Sequence, residues 1–308
     1  MNKGVMIALK VAVTGSLLWW LAQQMDFAAV FVAVKALNPV PVGLAFLVLL
    51  SYGVVSAERW RRICRALRIG LSFPVAVRLF FISMFFNQTL STTIGGDAAR
   101  VWLLRNYGFS ATVVVAGIVY ERVAGFLGLG VLALAAAFGI ANPVLWGAPL
   151  FAGIVAMVLI ILAMAASPPA GPRWLRKVRR AARLARRIFI SRNGVLLVAL
   201  SVAIHGVGGL ALYLVAAAMG MNVDVWVFLL ATPPALMLAT LPVSIGGWGV
   251  REAVLVAVLT PFGAASADAF LLSVIFGVMV MVAGLPGGLI WVLSAGSRAG
   301  SRPSGKIR

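Results

Sequence analysis

The chain has 308 residues, of which 63% are hydrophobic and 11% charged, against roughly 25% charged in an ordinary soluble domain. A mean hydropathy of +1.08, with several apolar stretches of about 20 residues, excludes a soluble globular fold. A strand barrel is excluded as well, because barrel strands alternate apolar and polar residues and this chain does not. The net charge of +19 would suggest nucleic acid in a soluble protein, but the cations lie in clusters between apolar segments, so nucleic acid is not an expected partner.

In chain order, Lys3 and Lys10 introduce an apolar run at 5–25. It lacks a small-residue cleavage site and is read as a first transmembrane helix rather than a signal peptide. A second span covers 40–57, followed by six arginines from Arg59 to Arg78. The apolar stretch 74–93 then meets a Gly-rich break. Spans at 112–140 and 145–166 follow, and nine Lys or Arg lie from Arg173 to Arg192. Another span occupies 195–219, a second interrupted stretch 225–241, and a last span 267–293. Four cations close the sequence from Arg298 to Arg308.

The two interrupted stretches decide the topology. If 74–93 crossed and did not return, the nine-cation segment would lie outside, against the positive-inside rule. A hairpin that dips in and comes back near Arg100 and Arg105 puts the basic clusters on the cytoplasmic side. Likewise, a single crossing at 225–241 would export the basic C-terminus, so this segment enters from outside and returns there. The expected fold is an all-α integral membrane protein with about six transmembrane helices and two re-entrant Gly-broken hairpins. It forms one polytopic domain, 1–308, in the cytoplasmic membrane with both termini cytoplasmic. Residues 40–140 hold the first hairpin, 168–193 a basic linker, 194–295 the second hairpin, and 296–308 a basic tail.

The two breaks align as LSTTIGGDAAR (90–100) and LPVSIGGWGVR (241–251), sharing Leu, Ile, Gly, Gly and Arg. Entered from opposite sides, they read as an inverted-topology repeat, whose Gly-interrupted segments point to a binding site near the midplane. The competing reading is that Gly95, Gly96, Gly246 and Gly247 merely allow close helix packing.

A break of this kind exposes a half-helix N-terminus that attracts anions. Arg100 and Arg251 follow in the first turn, each offering a planar fork for phosphate or carboxylate. Asp97, three residues before Arg100, reads both as a pairing partner and as a cap. Glu121 and Arg122 lie deep in the third span, where ionisable groups face a bundle interior or a watery path. They read as site or gating residues, or as a structural ion pair of Glu121 with Arg100 or Arg251. Glu252 has the same two readings, with a route to the outer surface. Trp248 fits an interfacial aromatic belt or the site wall, and Asn87 and Gln88 could satisfy backbone groups freed by the break. Glu58 reads as a solvated neighbour of Arg61 and Arg62, and His205 as an isolated buried residue outside the site. Trp174, Val178, Ala182, Ala185 and Phe189 share one helical face, which suits an amphipathic helix on the anionic inner leaflet; a plain positive-inside loop explains the charge equally well.

One cysteine, Cys64, rules out an internal disulfide, and a single histidine rules out a His-rich metal site. No GxxxxGK[ST] motif is present, so neither ATP nor any other cofactor is expected.

The segments NQTLSTTIGGDAARVWLLRNYG (87–108), Glu121-Arg122-x-x-Gly125 and LPVSIGGWGVRE (241–252) resemble the transmembrane region of lysylphosphatidylglycerol synthases, a flippase-like membrane family. The resemblance implies an inner-membrane protein; its bifunctional bacterial members move aminoacylated phosphatidylglycerol to the outer leaflet. Those synthases carry a soluble aminoacyl transferase domain, whereas this chain ends about 15 residues past its last span. A stand-alone member without that enzyme activity is therefore expected. Short relatives occur near genes for polyprenyl-linked sugars, hopanoids and other envelope lipids, which widens the expected cargo to these lipids and membrane phospholipids.

The leading expectation is a lipid flippase in which Arg100 and Arg251 bind an anionic headgroup while Asp97, Glu121, Arg122 and Glu252 organise or gate the site. One alternative is a membrane-embedded lipid transferase with Asp97 or Glu121 as general base. Another is a non-transporting scaffold that presents the basic linker to an envelope-lipid enzyme.

Overall fold

The computed structural model describes residues 37–89, 95–138, 173–229 and 248–296. The spans expected at 5–25 and 145–166, most of the 225–241 approach, the tail, and Gly246 and Gly247 lie outside the described residues.

Regular structure among the described residues is helical. Helix α1 (Pro39–Ala66) starts where the Asn38 side chain accepts a hydrogen bond from the Val40 N–H at 3.1 Å, with Pro39 in the first turn. Helices α2 (Phe73–Thr89) and α3 (Gly95–Asn106) pack against each other, followed by α4 (Ala111–Phe138). Then come α5 (Arg173–Phe189), α6 (Arg192–Ala218), α7 (Val250–Leu259), a 3-10 turn at Thr260–Phe262, and α8 (Ser266–Gly296).

Among the described residues, four helical segments are long and apolar enough to cross a bilayer: Pro39–Ala66, Ala111–Leu132, Arg192–Ala218 and Ser266–Leu293. Each coincides with an expected span. The protein is a multi-pass helical membrane protein. Its outer faces carry Leu47, Val131, Leu285 and Val292, which are exposed; apolar side chains on the outside suit hydrocarbon as a solvent.

Helix α6 is the central post, packed along α1 and α4. A first core joins Ala45 and Leu49 of α1, Ala211, Leu212 and Val215 of α6, Leu255 of α7 and Leu272 of α8. A second joins Trp60, Cys64, Leu79, Ile82, Leu103 and Val114 across α1 to α4. Helix α8 lies against α2, where Gly287 faces the Phe81 carbonyl and Gly288 the Phe85 ring with no room for a Cβ. Small residues at such crossings let backbones approach, which is how helices gain packing contacts in lipid.

Two expectations change. Helix α1 continues to Ala66 instead of ending near residue 57, so Arg59 belongs to the helix and is buried rather than standing in a loop. The second half of α5 turns its apolar face inward: Ala185 and Ile188 are buried with Ile63, Tyr120 and Leu197, and the Tyr120 hydroxyl donates to the Ala181 carbonyl at 3.0 Å. That part of the face is covered by protein, and exposed Arg186 and Arg187 point the other way.

Candidate functional site

The site grows from the α2–α3 junction. The Asn87 side-chain oxygen accepts from the Gly96 N–H at 2.7 Å, so a residue of α2 satisfies one of the free donors that open α3. Gly96 is required there by space, because a Cβ would run into the Ser83 carbonyl and the Asn87 amide oxygen. Gly95 is buried beside it.

One turn into α3, Arg100 is buried and its guanidinium joins two carboxylates. It donates to Asp97 Oδ1 at 2.6 Å within its own helix and to Glu121 Oε2 at 2.6 Å on α4. The other Asp97 oxygen accepts from Arg122 at 2.8 Å. The Arg100 guanidinium also lies over the Trp60 ring at 4.6 Å from its centroid, a favourable stacking for a desolvated cation. Asp97, Arg100, Glu121 and Arg122, singled out on separate sequence grounds, thus form one ionic network, and Glu121 pairs with Arg100 among its expected partners.

On the other side, α7 begins at Gly249, whose φ of 85° suits glycine alone. Glu252 Oε2 accepts from the Gly249 N–H at 2.5 Å, closing the N-terminus of the helix. Glu252 Oε1 accepts from Arg251 at 2.5 Å and from the Ser273 hydroxyl at 3.0 Å. Glu252 is 0% exposed, so the route to the outer surface allowed by its sequence position is not taken. The Arg251 guanidinium stacks on the Trp248 ring at 4.8 Å, which ties Trp248 to the Arg251–Glu252 cluster. Gly277 on α8 leaves the space for that stack.

Arg100, Glu121, Arg122 and Arg251 line one cavity of about 310 Å³. Asn87 and Gln88 border it too. Its remaining wall includes Leu49, Phe80, Met84, Phe126, Phe276 and Val280, so charged and apolar side chains share the lining. Asp97 and Glu252 act behind the wall, through the arginines they hold.

Sequence reasoning missed three contributors. Arg59 lines the cavity, donates to the Ser201 hydroxyl at 3.0 Å and lies 3.6 Å from Glu121 Oε1. His205 also lines it, with Nε2 3.1 Å from the Gly125 carbonyl and Nδ1 without a partner among the described residues. Ser273 fixes both Arg251 and Glu252. Arg59 was legible in principle. Leu49, Ser56, Arg59 and Ile63 follow the buried face of α1, whereas Glu58, Arg61 and Arg62 form ion pairs on its more accessible side. Among the described residues no three His, Cys, Asp or Glu side chains converge as metal ligands.

The family model for the lysylphosphatidylglycerol synthase TM region matches residues 7–288. The chain belongs to this family. The match runs through both halves of the cavity wall, from α1 to α8, and the described residues hold no other domain. Comparison with curated proteins returns no match. Membership and helical architecture together describe a membrane protein of a lipid-related family, residing in the bilayer.

Proposed function

We propose that the protein is a lipid translocator of the cytoplasmic membrane, binding an anionic headgroup near the bilayer midplane and passing it between leaflets. The observation that carries this reading is the single cavity reached by Arg100 from one Gly-containing segment and Arg251 from the other. A lining that combines arginines with side chains such as Leu49, Phe80 and Val280 suits an amphiphile, which carries both a headgroup and an apolar chain, better than a free ion.

In this reading α2 with α3, and the approach to α7, are the two re-entrant hairpins of an inverted repeat, and both termini are cytoplasmic. The packing of α2 against α3 and the short length of α3, 12 residues or about 18 Å by helical rise, support the first hairpin. The cargo is a phospholipid or a polyprenyl- or hopanoid-type envelope lipid.

The protein is proposed not to be an enzyme. Asp97 and Glu121, the two candidate bases, are each held by arginine, and Asp97 lies outside the cavity lining, which suits a structural role better than proton abstraction. Purified protein in liposomes should therefore exchange labelled anionic lipid between leaflets without changing it chemically. Exchange no faster than in protein-free vesicles across phosphatidylglycerol, polyprenyl phosphate and acidic hopanoid lipids would refute the translocator reading, and a modified lipid product would reinstate the transferase.

A further inference from the structure

Four arginines, Arg59, Arg100, Arg122 and Arg251, surround the cavity, and they are unequally neutralised. Arg100 holds two carboxylates at 2.6 Å, Arg122 holds Asp97 at 2.8 Å, and Arg251 holds Glu252 at 2.5 Å. Among the described residues, Arg59 alone of the four has no carboxylate within close hydrogen-bond range. Its nearest, Glu121, is 3.6 Å away and is already engaged by Arg100.

Arg59 is nonetheless 8% exposed, and its Nε has no hydrogen-bond partner among the described residues. A buried charge with an idle donor is costly unless something pairs with it. Its orientation is fixed from α6: the Ser201 hydroxyl donates to the Leu197 carbonyl at 2.8 Å and accepts from Arg59 Nη1 at 3.0 Å. Arg100 also has an Nε without a partner among the described residues, but both of its terminal nitrogens are committed and its face is covered by Trp60.

We infer that Arg59 is the residue that takes the phosphate oxygens of the ligand, with Glu121 as the internal counter-anion it gives up when the ligand arrives. This rests on the headgroup cavity proposed above and assigns its first contact to a residue outside the paired Gly-Gly motifs. An incoming phosphate offers Arg59 charge-assisted hydrogen bonds at normal length in place of a distant, shared carboxylate. Glu121 then remains with Arg100, so the ligand need not break the two short bonds that hold α3 to α4. Glu121 is thereby a gatekeeper of affinity: it competes with phosphate for Arg59.

The test is a double-mutant cycle on the full chain in uncharged detergent, titrated calorimetrically with short-chain dihexanoyl phosphatidylglycerol and, separately, with glycerol 3-phosphate. Arg59→Lys keeps the buried charge and loses the fork; it should weaken binding of the short-chain lipid by about tenfold. Glu121→Gln should tighten it by about threefold or more, as expected when a competing charge is removed. In the Arg59→Lys background, Glu121→Gln should give little or no gain, a coupling that a purely structural role for Arg59 would not produce.

Unchanged binding in Arg59→Lys, or an undiminished Glu121→Gln gain in that background, overturns the assignment and leaves Arg100 as the anchor in an otherwise intact headgroup site. If glycerol 3-phosphate binds as tightly as the lipid with the same variant pattern, Arg59 is the anchor but the cargo is a free phosphate compound, and the lipid reading fails instead. Binding of neither probe by wild type overturns both.

Discussion

Glu252 holds three donors at once: the Gly249 N–H, the Arg251 guanidinium and the Ser273 hydroxyl. Replacing it with alanine leaves a partly buried arginine uncompensated and the start of α7 uncapped, a loss of roughly 3 kcal/mol. The Glu252→Ala protein should unfold at clearly lower temperature in detergent, and an unchanged transition would show that this cluster is not structural. Tyr120→Phe is a milder change, removing only the bond to the Ala181 carbonyl, and should cost about 1 kcal/mol by the same measurement. Charges embedded in apolar helices were the legible part of the site. Glu121 and Arg100 stand out because hydrocarbon penalises them. Ser201, Ser273 and His205 did not, because one small or singly occurring polar group on a helix carries no signal of which helix it will face. Arg59 was hidden for another reason: it sits in a run of cations that reads as a cytoplasmic loop, and only helical phase separates it from Arg61 and Arg62.

Helix α3 meets α2 through Gly96, and α8 meets α2 through Gly287, both at backbone contact. Adding one methyl at either place must displace main chain, which costs about 1–3 kcal/mol. Gly96→Ala should also shift Asp97 and Arg100 relative to Glu121, because all three are tied through the first turns of α3. Its stability loss should therefore come with impaired transport, whereas Gly287→Ala should lower stability first; equal transport and melting of Gly96→Ala with wild type would discard this role of the glycine. The four uninterrupted spans were readable because their apolar length leaves one physical solution. Their ends were less so: α1 carries its polar continuation as helix to Ala66, since Trp60 and Cys64 are buried against α2 to α4 and Ile63 against α4 to α6. The inward face of α5 was likewise unreadable, because an amphipathic helix is equally satisfied by a bilayer surface or by protein until its neighbours are known.

The distribution of cations sets the proposed orientation of the entire chain, with α5 and both termini on the cytoplasmic side. Cys64 is buried, so a cysteine introduced at exposed Arg187 should report by itself: labelling from the cytoplasmic side alone is expected, and labelling from outside would invert the topology. The translocator reading requires that arginines from two segments far apart in sequence serve one headgroup cavity. It is tested most directly by leaflet exchange of labelled phosphatidylglycerol in proteoliposomes carrying equal amounts of wild type, Arg100→Ala or Arg251→Ala. Fast exchange by the wild type and a loss of at least about tenfold in each variant is the expected result; exchange at the wild-type rate in both variants would contradict it.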